Sequence, residues 1–164
     1  MKNKKTKLEM PTILSVGSKL FVDDRGELVI FPSIMNFKNI KRAYIVRNHT
    51  AGFVRAWHGH YREGKYVTVI RGAAIIGLAP LDFLNGKSHE SKSSAYNIEP
   101  LRTVLSDNHP TVIFIPPGWG NGAKNLTKDT EIMYFSDKTV EESKNDDIRF
   151  EWNAIPDFWT VQKR

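Results

Sequence analysis

Hydrophobic and polar positions alternate along much of this chain, in short runs broken by turn residues. The clearest run is Lys65–Gly72, where Lys65, Val67, Val69 and Arg71 alternate with Tyr66, Thr68 and Ile70. A period of two in a segment rich in β-branched residues predicts a strand. Upstream, His58 and His60 stand two residues apart, so a strand turns both to one face. Arg55, three residues before His58, is expected on the opposite face of an unbroken strand. The polar turn from Val22 to Glu27 separates apolar segments and leads into a strand at Leu28–Phe31. Further strands are expected over Asn39–Arg47, Ala73–Leu81, Leu101–Leu105, Thr111–Ile115 and Glu131–Phe135. Residues 85–94 are polar and read as a surface loop. Helical periodicity is absent except for one brief turn over Thr139–Asn145. Many short strands with turns between them predict an all-β barrel or sandwich. Residues 1–10 read as a disordered basic tail and 11–164 as one domain.

Composition narrows the picture. A chain of 164 residues supports one sizeable core. Cysteine is absent, which rules out a disulfide framework and suits a reducing cytoplasm, the expected location. No apolar run reaches the length of a membrane span, and no apolar stretch of signal-peptide type follows the basic start. The net charge of +6 favours an anionic ligand. The basic residues are dispersed and form no zinc-finger, RRM or basic-helix pattern, which argues against nucleic acid. A phosphorylated small molecule fits the same charge balance.

Gly52, His58, His60 and Gly72 fall on a spacing that resembles the first motif of the cupin superfamily: Gly, five residues, His-x-His, three or four residues, Glu, six residues, Gly. Lys65 takes the Glu position. Pro116, Gly118 and Asn125 resemble the second motif, with Asn121 in place of its His. Cupin metals are held by the two histidines of the first motif, its Glu and the second-motif His. An ammonium has no lone pair to give a metal, and an amide is a poor substitute for imidazole. The resemblance therefore implies a single cupin (jelly-roll) barrel that keeps the pocket without a metal or other cofactor.

Several pieces bring the resemblance closer, to the nucleotide-sugar epimerases typified by dTDP-4-dehydrorhamnose 3,5-epimerase and to the related 3,4-ketoisomerases. They are Asp24-Arg25-Gly26, Arg55-Ala56-Trp57-His58, Gly64-Lys65-Tyr66-Val67, Leu105-Ser106, Ile115-Pro116-Pro117-Gly118 and Tyr134. Ile40–Tyr44 and His58-Gly59-His60 are more similar to the ketoisomerases. The resemblance implies that His58 removes a proton next to a ketone, Lys65 stabilises the enolate oxygen and Tyr134 returns a proton from across the ring. It implies that Arg25 and Arg55 grip a diphosphate, for which the guanidinium fork is suited. Lys41, Asn48 and Trp119 are further candidates for substrate contact, with core packing the other reading of Trp119. His60 and Asn121 are candidates for support. The epimerases orient their base with an aspartate in a Trp-Asn-Asp-Pro-like segment. Trp152-Asn153 is here followed by Ala154, which leaves Asp146 or Asp147 as the replacement.

The implied function is epimerisation of a nucleotide-diphosphate-linked 4-keto-deoxy sugar at C3 and/or C5, in deoxysugar or surface-polysaccharide biosynthesis. A 3,4-ketoisomerase and a non-catalytic sugar-binding cupin are the alternatives. The implied assembly is a homodimer in which an N-terminal strand, Leu28–Phe31 here, joins the sheet of the second copy. With Lys65 and Asn121 at ligand positions, exhaustive chelation is expected to leave turnover unchanged. A stoichiometric metal whose removal abolishes turnover contradicts this.

Overall fold

Two five-stranded antiparallel sheets sandwich one apolar core. The computed structural model describes residues 8–14, 18–31, 39–86 and 98–161. In chain order the strands are β1 (Thr12–Leu14), β2 (Lys19–Asp23), β3 (Gly26–Ile30), β4 (Arg42–Arg47), β5 (Val54–His60), β6 (Lys65–Arg71) and β7 (Ala73–Pro80). After the short helix α1 (Leu81–Leu84) come β8 (Leu101–Ser106), β9 (Val112–Ile115), β10 (Trp119–Asn125) and β11 (Glu131–Ser136), then helix α2 (Val140–Lys144) and β12 (Ile148–Arg149). The first sheet runs β1-β9-β6-β11-β4 and the second β12-β5-β10-β7-β8; β2 and β3 form a separate hairpin. The all-β expectation holds, as an open-edged jelly-roll sandwich and not a closed barrel. No described helix is long and apolar enough to cross a membrane.

Alternation explains the core. Val67 and Val69 of β6 and Ile132 and Tyr134 of β11 point inward from the first sheet. They meet Ala74, Ile76 and Leu78 of β7 and Ala123 of β10 from the second. The other face of β7 is also covered, because Ile75 and Ala79 pack with Trp57 and Trp159. A strand buried on both faces reads as an unbroken apolar run, as Ala73–Pro80 does. Gly77 is a requirement of this second layer, since a Cβ there would come within 2.5 Å of Phe158 and 2.6 Å of Trp159. The three rings of Trp57, Phe158 and Trp159 fasten the C-terminal segment to the outside of the second sheet.

The pairing of β5 with β10 corrects one expectation. Asn121 pairs with His58 and Ala123 with Arg55, so three steps on β5 oppose two on β10. The extra residue is a β-bulge. It reverses the alternation, and Arg55 comes round to the face of His58 and His60. β10 itself escaped the sequence reading because Trp-Gly-Asn-Gly-Ala-Lys-Asn shows no apolar alternation. Its glycines serve close approach: a Cβ on Gly122 would lie 2.3 Å from the Cβ of Ala56.

Smaller differences have local causes. Ala73–Leu81 ends as a strand at Pro80, and Leu81 opens α1. Asn39–Arg47 becomes strand only at Arg42. The turn of helix over Thr139–Asn145 forms as α2, closed by a capping box in which Glu142 N donates to Thr139 Oγ1 at 3.2 Å and Thr139 N to Glu142 Oε2 at 2.9 Å. Residues 1–7 of the expected tail and 87–94 of the expected loop lie outside the described residues. Leu8, at the end of that tail, packs on the core.

Trp57 is completely buried and holds both Phe158 and Trp159. Trp57→Ala is expected to cost about 3–5 kcal/mol in urea unfolding. A loss below about 1 kcal/mol would show that this aromatic layer is dispensable.

Candidate active site

A cavity of about 230 Å³ opens between the two sheets. Arg42 and Tyr44 of β4, Lys65 of β6 and Tyr134 of β11 line it from the first sheet. Arg55, His58 and His60 of β5 and Asn121 of β10 line it from the second. Ser143 of α2 and Asp147, just before β12, close one side. The placement follows from register. The bulge brings Arg55 to the histidine face, and the β12–β5 pairing sets Arg149 opposite His58, which brings Asp147 beside the imidazole.

His58 is the more exposed of the two histidines, with 41% of its side chain accessible against 5% for His60. Asp147 Oδ1 lies 3.9 Å from His58 Nδ1, in ion-pair range but too far for a hydrogen bond. Asp147 is itself gripped by Arg149, at 2.8 Å from Nη2 and 2.9 Å from Nε. Burial pushes the His58 imidazole below its ordinary range. Asp147 opposes that shift, while Arg149, Lys65 and Arg55 reinforce it. The ring is thus neutral at neutral pH and able to accept a proton.

Beneath the histidines lies a charged cluster centred on Glu63, a residue not among the sequence candidates. Its side chain is fully buried. Oε1 accepts from Arg42 Nη2 at 2.9 Å and Ser136 Oγ at 2.7 Å, and Oε2 from Ser143 Oγ at 2.6 Å. Lys65 Nζ stands 3.5 Å from Oε1, and His60 Nδ1 3.3 Å from Oε2. The His60 nitrogen is close but misaligned, and it has no hydrogen-bond partner among the described residues. Burial would raise the Glu63 carboxyl, but Lys65, the two serine hydroxyls and His60 together hold it below its usual range. Burial lowers Lys65, and Glu63 works against that by favouring the ammonium. His60 is pushed down by burial first and by Lys65 second.

On the opposite sheet Tyr134 and Tyr44 are direct cross-strand neighbours. Their rings stack with centroids 5.1 Å apart and planes 6° apart. Burial, then the Glu63 charge, pushes the Tyr44 phenol up to about 12. Tyr134 is pushed up further, by burial and then by Tyr44. Both phenols remain protonated. Tyr44 was missed as a site residue, although a strand over Ile40–Tyr44 puts it on the same face as Arg42.

Arg55 Nε donates to Asn48 Oδ1 at 2.9 Å, and Asn48 Nδ2 donates to Asn125 Oδ1, so the arginine is aimed by an amide relay. Asn121 Nδ2 donates to the carbonyl of His58 at 2.8 Å. At the position where cupins place a metal-binding histidine, this chain uses a side chain to tie two strands together. The donor set does not fit a metal: Lys65 brings a cation, Asn121 is engaged, and the Glu63 carboxylate is filled by Arg42 and two hydroxyls. Among the described residues no group of three His, Cys, Asp or Glu side chains is arranged to hold a metal ion.

Three candidates do not reach the cavity of their own chain. Trp119 begins β10 on the inward face, but its ring is enclosed in the core and its Nε1 donates to the carbonyl of Glu9 at 2.8 Å. Its packing reading is the correct one. Lys41 is drawn to Glu142 of α2, at 2.8 Å, on the exposed side of that helix. Arg25 sits in the β2–β3 turn, exposed and paired with Asp23. Asp146, the other candidate orienter of His58, is used elsewhere: its carboxylate accepts the backbone N–H groups of Tyr61 at 3.1 Å and Arg62 at 2.7 Å.

A family model described as dTDP-4-dehydrorhamnose 3,5-epimerase matches residues 7–162. No curated protein sequence matches. The chain is similar in structure to the dTDP-4-dehydrorhamnose 3,5-epimerase of Bacillus anthracis str. Ames with TDP and PPi bound, at 22% identity and TM-score 0.70, over 93% of this chain and 86% of that one. It is similar to an epimerase of Mycobacterium tuberculosis, at 15% identity and TM-score 0.68, over 93% of this chain and 79% of the other. It is also similar to a sugar 3,4-ketoisomerase of Thermoanaerobacterium thermosaccharolyticum in complex with TDP, at 18% identity and TM-score 0.62, over 91% and 90%. At these identities the likeness establishes the jelly-roll fold.

The depressed His58 value has a readable consequence. The unfolded chain, with an imidazole near 6.5, binds more protons than the folded one between that value and the folded midpoint. Stability therefore falls as pH drops through that window. Proton NMR of His58 is expected to titrate with a midpoint below 6.5. A midpoint above that value would show that Asp147 outweighs burial.

Proposed function

This chain belongs to the dTDP-4-dehydrorhamnose 3,5-epimerase family of isomerases, and from that premise we propose that it inverts C3 and/or C5 of a nucleotide-diphosphate-linked 4-keto-deoxy sugar. One observation carries the reading: a neutral imidazole and two protonated phenols face one cavity from opposite sheets. Inversion needs a base on one face of the sugar ring and an acid on the other, and this site supplies both.

His58 takes the proton from the carbon next to the C4 ketone, and the C–H electron pair moves into the ring as the carbonyl becomes an enolate. The Lys65 ammonium, buried and paired with Glu63, offsets the charge growing on the enolate oxygen. Tyr134 then donates its phenolic proton to the carbon from the far face. The resulting imidazolium and phenolate are reset by proton exchange with water. Arg55, aimed by Asn48, takes the diphosphate at the cavity edge.

A second reading, 3,4-ketoisomerisation, rests on His60, which lines the cavity beside His58 with its Nδ1 unpartnered. There one histidine takes the C3 proton and the other returns one to C4, while the C3 hydroxyl proton passes to the C4 oxygen, so the carbonyl moves to C3 and no centre is inverted.

We also propose a cytoplasmic homodimer. The β2–β3 hairpin is exposed on both faces, with Phe21 at 51%, Val22 at 67% and Leu28 at 59%. A two-stranded ribbon is marginal alone and gains stability by joining a sheet. β4, the edge strand carrying Arg42 and Tyr44, offers such a place on a second copy, where Arg25 would stand near that copy's cavity.

The test is solvent exchange. Incubated in deuterated water with nucleotide-linked 4-keto sugars, the protein is expected to place deuterium at C3 and/or C5 with inversion. His58→Asn should keep nucleotide binding and lose exchange by about 10²–10⁴-fold. Near-normal exchange in that variant removes His58 as the base. Deuterium at C4 with the carbonyl moved from C4 to C3 supports the ketoisomerase instead.

A further inference from the structure

We propose that Glu63 is a positioning residue for catalysis: its buried carboxylate fixes the Lys65 ammonium against the cavity where the enolate oxygen forms. The proposal rests on the reading of Lys65 given above and assigns a task to the carboxylate beside it.

The geometry singles out Glu63 because its surroundings exceed what a turn requires. The turn between β5 and β6 is already held by its backbone. Asp146 takes the N–H groups of Tyr61 and Arg62, Asp137 takes that of Gly64 at 3.0 Å, and Gly118 N donates to the carbonyl of His60 at 2.7 Å. Glu63 contributes to none of these bonds. Its carboxylate instead turns inward, where a fully buried charge is costly unless paired.

The groups facing it come from every neighbouring element. Arg42 reaches it from β4, His60 from β5, Lys65 from β6, Ser136 from β11 and Ser143 from α2. Tyr44 and Asp147 act on the same cluster through space. Six of these groups, all except Ser136, also line the cavity.

Three hydrogen bonds from Arg42 and the serines fix the carboxylate. The Lys65 ammonium stands further off, at 3.5 Å, on the side facing the cavity. This ranks the roles: Arg42, Ser136 and Ser143 immobilise Glu63, and Glu63 immobilises Lys65. Ser143 adds a second link, since it anchors α2, from which the chain runs to Asp147 beside His58. One carboxylate thus sets the cation that meets the enolate oxygen and steadies the segment beside the base.

The test compares Glu63→Gln with the unaltered protein, on exchange of a nucleotide-linked 4-keto sugar in deuterated water and on side-chain ¹⁵N NMR of the lysines. The variant is expected to fold, to keep KM within about twofold and to lose kcat by about 10²-fold, the scale of an ångström-level misplacement. Glu63→Asp should recover part of that loss. Glu63→Gln/Lys65→Met should be no slower than Lys65→Met alone, because the two residues act as one unit.

In the unaltered protein the Lys65 ammonium resonance should be visible and protected from exchange with water, and lost in Glu63→Gln. Unchanged kcat, additive losses in the double variant, or identical lysine spectra overturn the proposal. If Glu63→Gln does not fold, the double variant decides: recovery of folding supports the pairing, and failure assigns Glu63 a structural task alone. A protein that exchanges no substrate yet shows the lysine resonance and its loss refutes the epimerase reading and leaves the pairing standing.

Discussion

A single buried carboxylate makes the rest of this site workable. Glu63 lies among Arg42 and Lys65, two cations sharing a poorly solvated region with two histidines. Without it the cluster would hold uncompensated positive charge, and breaking such a buried pair costs on the order of 3–5 kcal/mol. With it, Lys65 stays an ammonium despite burial, while burial, aided by neighbouring cations, keeps His58 and His60 neutral. In the proposed reaction, one arrangement produces both the cation that an enolate needs and the neutral imidazole that removes the proton. A metal cupin would assign the first task to its ion. Here a lysine and its carboxylate partner take it, at the position where the metal's Glu ligand would stand.

The two-sheet architecture converts this into stereochemistry. β5 carries His58, the proposed base, on one wall and β11 carries the Tyr134 phenol on the other, with the Tyr44 ring stacked beside it. The bulge in β5 adds Arg55 to the wall of the histidines. Rigidity comes from outside the cavity. Trp57, Phe158 and Trp159 pack the C-terminal segment on the outer face of β5 and β7, and β12 pairs beside His58. The segment that seals the second sheet is therefore the one that delivers Asp147.

Much of this was legible in the sequence, and what was not has physical causes. β6 and β11 followed from alternation, α2 from its short polar stretch, and the position of His58 beside His60 from a period of two. The bulge is invisible to periodicity, since an extra residue appears only when the partner strand is known. That is why Arg55 was expected on the wrong face. Trp119 had two readings, substrate contact and packing, because β10 shows no alternation to place it; its burial in the core follows from a strand face that holds cavity residues at one end and core at the other. Glu63 was hidden by its company: Tyr61, Arg62 and Gly64 are turn-like, and a charged residue among them reads as solvated. Its spacing of two before Lys65 was the available signal. The choice between Asp146 and Asp147 depended on β12, two residues long and too short to show a pattern.

The central claim is that proton removal and proton return occur on opposite walls. Tyr134→Phe tests it most directly, because it removes the donor on one wall and leaves His58 on the other. With a nucleotide-linked 4-keto sugar in deuterated water, the account predicts that this variant still exchanges the proton next to the ketone but returns deuterium to the original face, so that label accumulates without inversion. Inversion at the rate of the unaltered protein would contradict it, and would mean that the acid on the far wall is some other group.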